Sequence, residues 1–258
     1  MVARQPPERR DAQSAFVLHT YAYRETSLIV EAFTADYGRV AMVARGARRP
    51  RSETRGLLQA FQPLTLSWAG GGELKTLLKA EWGGGLPLPR GAALLCGFYL
   101  NELLLKLLAR EDPHAALFCD YEDALASLSQ KTTVAEQGAV LRRFELRLLA
   151  ELGYALPLTQ DADTGAAIDP VARYHYDFGR GPRALAATVA REPAARYPLI
   201  RGATLLGLAA NAFPDAETAA EAKRLMREVL DHYLEERRIF SRRVVQDLQA
   251  IDEEGEPS

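Results

Sequence analysis

The chain has 258 residues, 48% apolar and 26% charged, with a net charge of −2 and only two cysteines, Cys96 and Cys119, in no CxxC pair. That inventory suits a globular protein with a sizeable core and argues against a disulfide framework or a cysteine-ligated zinc site. The polar, mixed-charge opening Met1–Ser14 lacks the apolar segment of a signal peptide, so a cytoplasmic protein with a disordered start at 1–14 is expected.

Residues 15–82 read as all-β. Ala15–Tyr23 alternates, with Phe16 and Leu18 on one face and Val17, His19, Tyr21 and Tyr23 on the other. Ser27–Thr34 and Arg39–Arg45 flank the turn Ala35-Asp36-Tyr37-Gly38, and Ala60–Ala69 and Glu73–Trp82 flank Gly70-Gly71-Gly72. Five short strands of this kind suit a small barrel, and the OB-fold is the five-stranded barrel that commonly binds oligonucleotides. The long connection at Gly46–Gln59 carries no strand signal.

Gly83–Gly91 is a composition break and reads as a linker. The apolar run Ala92–Ala109 is interrupted by Asn101, Glu102 and Lys106. A charge at mid-bilayer costs about 2.5–3.5 kcal/mol, so a buried core helix is expected rather than a membrane span. Asp112-Pro113 reads as the cap of a second helix with a stripe at Leu117, Tyr121, Leu125 and Leu128. Thr133-Val134-Ala135-Glu136 is a capping box, opening a helix that buries Leu141, Phe144, Leu148 and Leu152 and stops at Gly153. Residues 154–182 are irregular, with a short strand at Tyr174–Tyr176. Helices follow near Ile200–Ala212, Asp215–Tyr233 and Arg237–Ala250, then an acidic tail at 251–258. The expected class is α+β and multidomain: an OB-fold barrel at 15–82, a linker at 83–91 and a mainly helical domain at 92–250.

Charge is distributed unevenly over these parts. Residues 1–80 hold 12 Lys and Arg against 7 Asp and Glu, whereas residues 81–258 hold 20 against 27. A basic first third on an acidic remainder points to a polyanion site on the N-terminal module. Within it, Arg45, Arg48, Arg49, Arg51 and Arg55 fall in eleven residues that contain one acid, Glu53. Each guanidinium can hold two phosphate oxygens and stays charged at any pH. With Arg39, Lys75 and Lys79 they form the candidate DNA footprint. In a chain with 27 Arg and 5 Lys, the same stretch also suits a solvated loop or a site for an acidic protein partner. Tyr21, Tyr23 and Tyr37 are candidates for base stacking, and Phe61 and Trp68 for packing. Four histidines without metal-ligand spacing, and no GxSxG, Walker or HExxH motif, argue against an enzyme; no cofactor and no metal site are expected.

A series of ordered segments carries a resemblance. They include Glu25-Thr26-Ser27-Leu28, Gly38-Arg39-Val40, Arg45-Gly46-Ala47-Arg48, Gly56-Leu57-Leu58-Gln59-Ala60-Phe61-Gln62-Pro63-Leu64, Phe98-Tyr99-Leu100-Asn101-Glu102-Leu103, Leu141-Arg142-Arg143-Phe144-Glu145 and Leu152-Gly153-Tyr154. Over nearly its whole length the chain resembles the bacterial recombination mediator family RecO. The resemblance implies a non-catalytic, nucleoid-associated protein that binds single- and double-stranded DNA, anneals complementary strands, and works with RecR to load RecA onto SSB-coated DNA. It also implies that the helical domain docks the acidic, Phe-terminated tail of SSB, with Arg142 as carboxylate anchor beside Leu141 and Arg143. Residues alone leave a network of Arg142, Arg143 and Arg147 with Glu145 and Glu151 equally open. Lys223, Arg224, Arg227, Arg237, Arg238, Arg242 and Arg243 make a second basic group, either a solvated face or an auxiliary DNA or RecR contact. A monomer without membrane attachment is expected. Many family members carry a four-cysteine zinc module. Here Asp161 stands where the first ligand is sought, so region 154–182 is expected to hold together by packing alone.

Overall fold

Alternation of apolar and polar side chains closes the first third of the chain into a barrel. A computed structural model of the protein describes residues 8–130, 133–185, 197–234, 239 and 241. The strands are β1 (Arg9–Tyr23), β2 (Ser27–Thr34), β3 (Gly38–Ala44), β4 (Pro63–Ala69) and β5 (Leu74–Trp82), in the closed order β1-β2-β3-β5-β4. Neighbours are antiparallel except β3 and β5, which close the barrel in parallel with Met42 opposite Lys75. The barrel is OB-like, and its interior is filled by Ala15, Val17, Val30, Ala32, Val40, Met42, Leu64, Leu66 and Trp68. β1 begins at Arg9, inside the stretch expected to be disordered. Its first half pairs with β4 and its second with β2, with irregularities between Arg10 and Gln13 and between Val17 and His19 that let one strand serve two partners.

The chain divides into two compact units, Met1–Gln130 with Ile239–Ser258, and Lys131–Arg238. The cut lies at Gln130 rather than in Gly83–Gly91, because α2 (Ala92–Leu107) and α3 (Ala115–Ser129) cover outward-facing aromatics of the barrel. Phe16 lies edge-on to Tyr121 at 5.2 Å, and Phe118 sits 5.5 Å from both Phe16 and Phe33. Asn101 explains the polar break in an apolar helix. Its amide donates to the Leu18 carbonyl at 2.9 Å, and its Oδ1 accepts from the Tyr121 hydroxyl at 2.5 Å. Burial pushes the Tyr121 pKa up, so that hydroxyl remains a donor. The predicted stripe Leu117, Tyr121, Leu125 and Leu128 is buried. Asp112 does not cap α3: the N-cap is His114. The preceding backbone is tied to the barrel instead, with the Glu111 amide donating to the Arg39 carbonyl at 2.9 Å. Gly38, at φ +62°, admits the Asp112 carbonyl where a β-carbon would come within 1.8 Å of its oxygen.

In the second unit, α4 (Val134–Glu151) starts on the predicted capping box and is followed by Gly153 at φ +84°. Such a cap contributes about 1 kcal/mol. Its buried face holds Arg142, Phe144, Glu145, Leu148 and Leu149, while Leu141 and Leu152 are only half-buried. A three-stranded antiparallel sheet follows in the order β7-β6-β8, from β6 (Arg173–Asp177), β7 (Gly181–Ala184) and β8 (Leu199–Arg201). α5 (Gly202–Ala210) and α6 (Ala216–Tyr233) pack together. Asp215 caps α6 by accepting from the Thr218 amide at 2.6 Å. The helix expected near Arg237–Ala250 and the acidic tail lie outside the described residues, apart from Ile239 and Ser241. In the first unit, Ser241 donates from its amide and hydroxyl to Glu102 Oε2 at 2.8 and 2.6 Å.

Candidate nucleic-acid interface

The connection between β3 and β4 is anchored at two points and open between them. Ala47 and Leu58 belong to the barrel core, whereas Arg45, Arg48, Arg49, Arg51 and Arg55 are all exposed. The backbone is held by its own turns. The Arg49 amide donates to the Gly46 carbonyl and the Ser52 amide to the Arg49 carbonyl, each at 3.1 Å. Gly46, at φ +69°, supplies the left-handed step that lets the chain leave β3. The Arg48 amide donates to the Thr26 carbonyl at 2.8 Å and its Nη1 to the Arg24 carbonyl at 3.1 Å, joining the connection to the β1–β2 turn. A short helix, α1 (Glu53–Leu57), was not expected within it; it buries no residue and lies beside β5. None of the five guanidiniums forms an ion pair with a described acid. Five fixed-charge donors on an ordered edge can hold a phosphate backbone without reading sequence.

Two of the other predicted cations face inward. Arg39 donates from Nη1 to Glu31 Oε2 at 3.1 Å and from Nε to the Leu108 carbonyl at 3.2 Å. Glu31, only 3% exposed, also accepts from Arg110. Lys75 is 5% exposed and pairs with Glu111 at 2.8 Å. Both tie the barrel to the segment between α2 and α3. Lys79 is exposed on β5 and pairs with Glu81 at 2.8 Å, a surface contact of about 0–1 kcal/mol.

The aromatics separate in the same way. Tyr21 is exposed on β1, edge-on to His19 at 4.5 Å, and the Arg24 guanidinium lies 5.1 Å from the Tyr23 ring. Tyr37, on the β2–β3 turn, packs edge-on against Trp68 at 5.5 Å, with Arg10 4.9 Å from its ring. Phe61 and Trp68 are buried, as predicted. Two residues that the sequence does not single out stand out in the structure: Arg24 on the β1–β2 turn, whose carbonyl accepts from Arg48 Nη1, and Trp82 at the end of β5, whose Nε1 donates to Gln62 Oε1 at 3.3 Å. A basic residue in a three-residue turn between strands was the available signal for Arg24.

In the second unit, Arg142 is 8% exposed and pairs with the fully buried Glu145, whereas Arg143 and Arg147 are exposed. Arg142 therefore lies within the buried stripe of α4 rather than beside it. Lys223, Arg224 and Arg227 are exposed on α6, with Arg224 donating to the Leu199 carbonyl at 3.2 Å. Arg237, Arg238, Arg242 and Arg243 lie outside the described residues.

Region 154–182 is organised by more than packing. The Asp161 carboxylate, 4% exposed, accepts from the Asp163 amide at 3.0 Å, the Thr164 amide at 2.8 Å, the Thr164 hydroxyl at 2.9 Å and the Ala184 amide at 2.6 Å. Burial alone would raise its pKa; the hydrogen bonds from Thr164, Ala184 and Asp163 outweigh it and hold the carboxyl below its usual range. Among the described residues no group of three or more His, Cys, Asp or Glu side chains is placed to hold a metal ion.

Comparison with known proteins places both parts of the chain. Residues 11–85 match the family model described as "Recombination protein O N terminal", and residues 89–243 match "Recombination protein O C terminal". The chain is 50% identical over 244 residues to the DNA repair protein RecO of Aromatoleum aromaticum, covering 95% of this chain and 98% of that one. It is 52% identical over 241 residues to the DNA repair protein RecO of an Azoarcus species, covering 93% and 97%. To that of Nitrosospira multiformis it is 49% identical over 246 residues, covering 95% and 98%.

Proposed function

The chain belongs to the recombination protein O family, and on that premise we propose that it is a non-catalytic DNA-binding mediator of repair and recombination. The observation that carries this reading is the set of five exposed guanidiniums at Arg45, Arg48, Arg49, Arg51 and Arg55, held on an ordered edge without a carboxylate partner among the described residues. Arg24 and exposed Lys79 add to this charge, while Arg39 and Lys75 tie the barrel to the segment between α2 and α3. Cations that neutralise phosphates on two strands lower the repulsion that slows complementary strands from meeting. Annealing then needs no ATP and weakens steeply with salt. Both single- and double-stranded DNA are bound, and with RecR the protein loads RecA on SSB-coated DNA.

The tail of SSB ends in acidic residues, Pro, Phe and a carboxylate, and so requires apolar surface beside a cation. On α4, half-buried Leu141 and exposed Arg143 supply them, with Arg142 held behind by Glu145. The protein acts as a monomer in the cytoplasm, at the nucleoid; no described helix is long and apolar enough to cross a membrane.

Fluorescence anisotropy with a labelled single-stranded oligonucleotide tests the DNA assignment. The unaltered protein binds at micromolar concentration or tighter, and changing Arg45, Arg48, Arg49 and Arg51 together to Glu abolishes binding. Failure of the unaltered protein to bind at low salt would instead make the edge a site for an acidic protein, with the barrel a structural adaptor.

A further inference from the structure

Trp82 is the most exposed large apolar side chain among the described barrel residues, at 62%, whereas the only other tryptophan, Trp68, is 2% exposed in the core. So large a ring is seldom left this open to water, and here it is also held in place. Its indole N–H donates to Gln62 Oε1 at 3.3 Å. The backbone then folds back beneath the ring at Gly85, where a β-carbon would sit 3.5 Å from Cζ2. The Gly83 amide donates to the Pro63 carbonyl at 2.8 Å and pins the end of β5 to the start of β4. The position is equally specific. Gln62 ends the connection that carries Arg45–Arg55, and α1 with Arg55 lies beside β5, the strand that Trp82 closes.

From this juxtaposition we propose that Trp82 is a stacking platform for an unpaired base of single-stranded DNA. The assignment rests on the DNA reading above and deepens it. The arginines hold a phosphate backbone whether it is single or double, whereas a ring that stacks a base needs one whose face is free. Bases in a duplex already stack on one another, so the ring contributes only to the single-stranded complex. It is thus the contact that lets a sequence-blind edge favour unpaired strands.

Two variants and two probes test it. Trp82→Ala and Trp82→Phe are titrated with a labelled oligo-dT strand and with a labelled duplex of equal length, at one salt concentration. Removing the ring should weaken single-strand binding about tenfold and change duplex binding less than twofold, and Phe should restore most of the loss. Tryptophan emission gives a second readout. It should be quenched by oligo-dT in the unaltered protein and not in Trp82→Phe, where only buried Trp68 remains. Equal losses for both probes, or an unchanged single-strand affinity in Trp82→Ala, would overturn the platform and leave the DNA reading standing. Absence of binding to either probe by the unaltered protein would overturn both.

Discussion

Two sets of cations in the first unit are balanced in opposite ways. On one flank Arg39, Arg110 and Lys75 are each matched to a carboxylate, Glu31 or Glu111. On the connection from β3 to β4, Arg45, Arg48, Arg49, Arg51 and Arg55 are exposed and meet no described acid. Charges of the first kind hold elements together, and removing a partner leaves a desolvated ion behind. Charges of the second kind add little to folding and leave the protein with a positive rim that a polyanion can complete. Composition alone treats both groups as the same excess of arginine. In the second unit the division recurs within two adjacent residues, Arg142 matched to Glu145 and Arg143 exposed.

If the matched group is structural, the largest effect follows from neutralising its buried acid. Glu31→Gln should lower stability by about 3 kcal/mol, read by chemical denaturation, because Arg39 loses its counter-charge in a poorly solvated site. Stability unchanged within about 0.5 kcal/mol would dissolve the distinction. Asp161 extends the comparison to an anion matched by hydrogen bonds. Asp161→Asn should cost about 2 kcal/mol, since an amide presents N–H groups where the backbone already donates. Because the folded pKa of Asp161 is depressed, its stabilisation is complete above the unfolded value near 3.9 and lost as pH falls through the lower folded value. The variant should lose that acid-side dependence of Tm, and chelator should leave the Tm of the unaltered protein where it was. The smallest effect separates the two adjacent arginines of α4, Arg142 and Arg143. Arg143→Glu should weaken an SSB-tail peptide about tenfold, or about 1.4 kcal/mol, without changing Tm, measured by calorimetric titration and melting. Arg142→Glu should lower Tm, because it sets a second carboxylate against buried Glu145.

What could be read in the sequence followed from local rules. Alternation and turn residues located the five barrel strands, the stripe from Leu117 to Leu128 marked one face of α3, and Thr133 with Glu136 marked the start of α4. The failures have equally specific causes. The alternation marks β1 only from Ala15, because its polar first half, Arg9–Ser14, is broken by an irregularity between Arg10 and Gln13. β7 carries no strand signal because it is four residues long and contains Pro182, which an edge strand tolerates. Asp112 looked like a cap because its carbonyl contact with Gly38 is invisible without the fold. In sequence Arg39 and Lys75 look like the open arginines, because their acids are distant in the chain or on another element. Trp82 read only as the end of a strand.

The salt dependence of binding tests most directly whether the edge at Arg45–Arg55 is the phosphate site. For single-stranded DNA the slope of log K against log salt changes by about 0.7 for each phosphate neutralised. Changing Arg45, Arg48, Arg49 and Arg51 to Ala should therefore flatten the slope by about 3, whereas Lys75→Met, which removes a matched cation, should leave it unchanged. The same slope in the fourfold variant as in the unaltered protein would contradict the account, as would a Lys75→Met protein whose slope falls by a full phosphate.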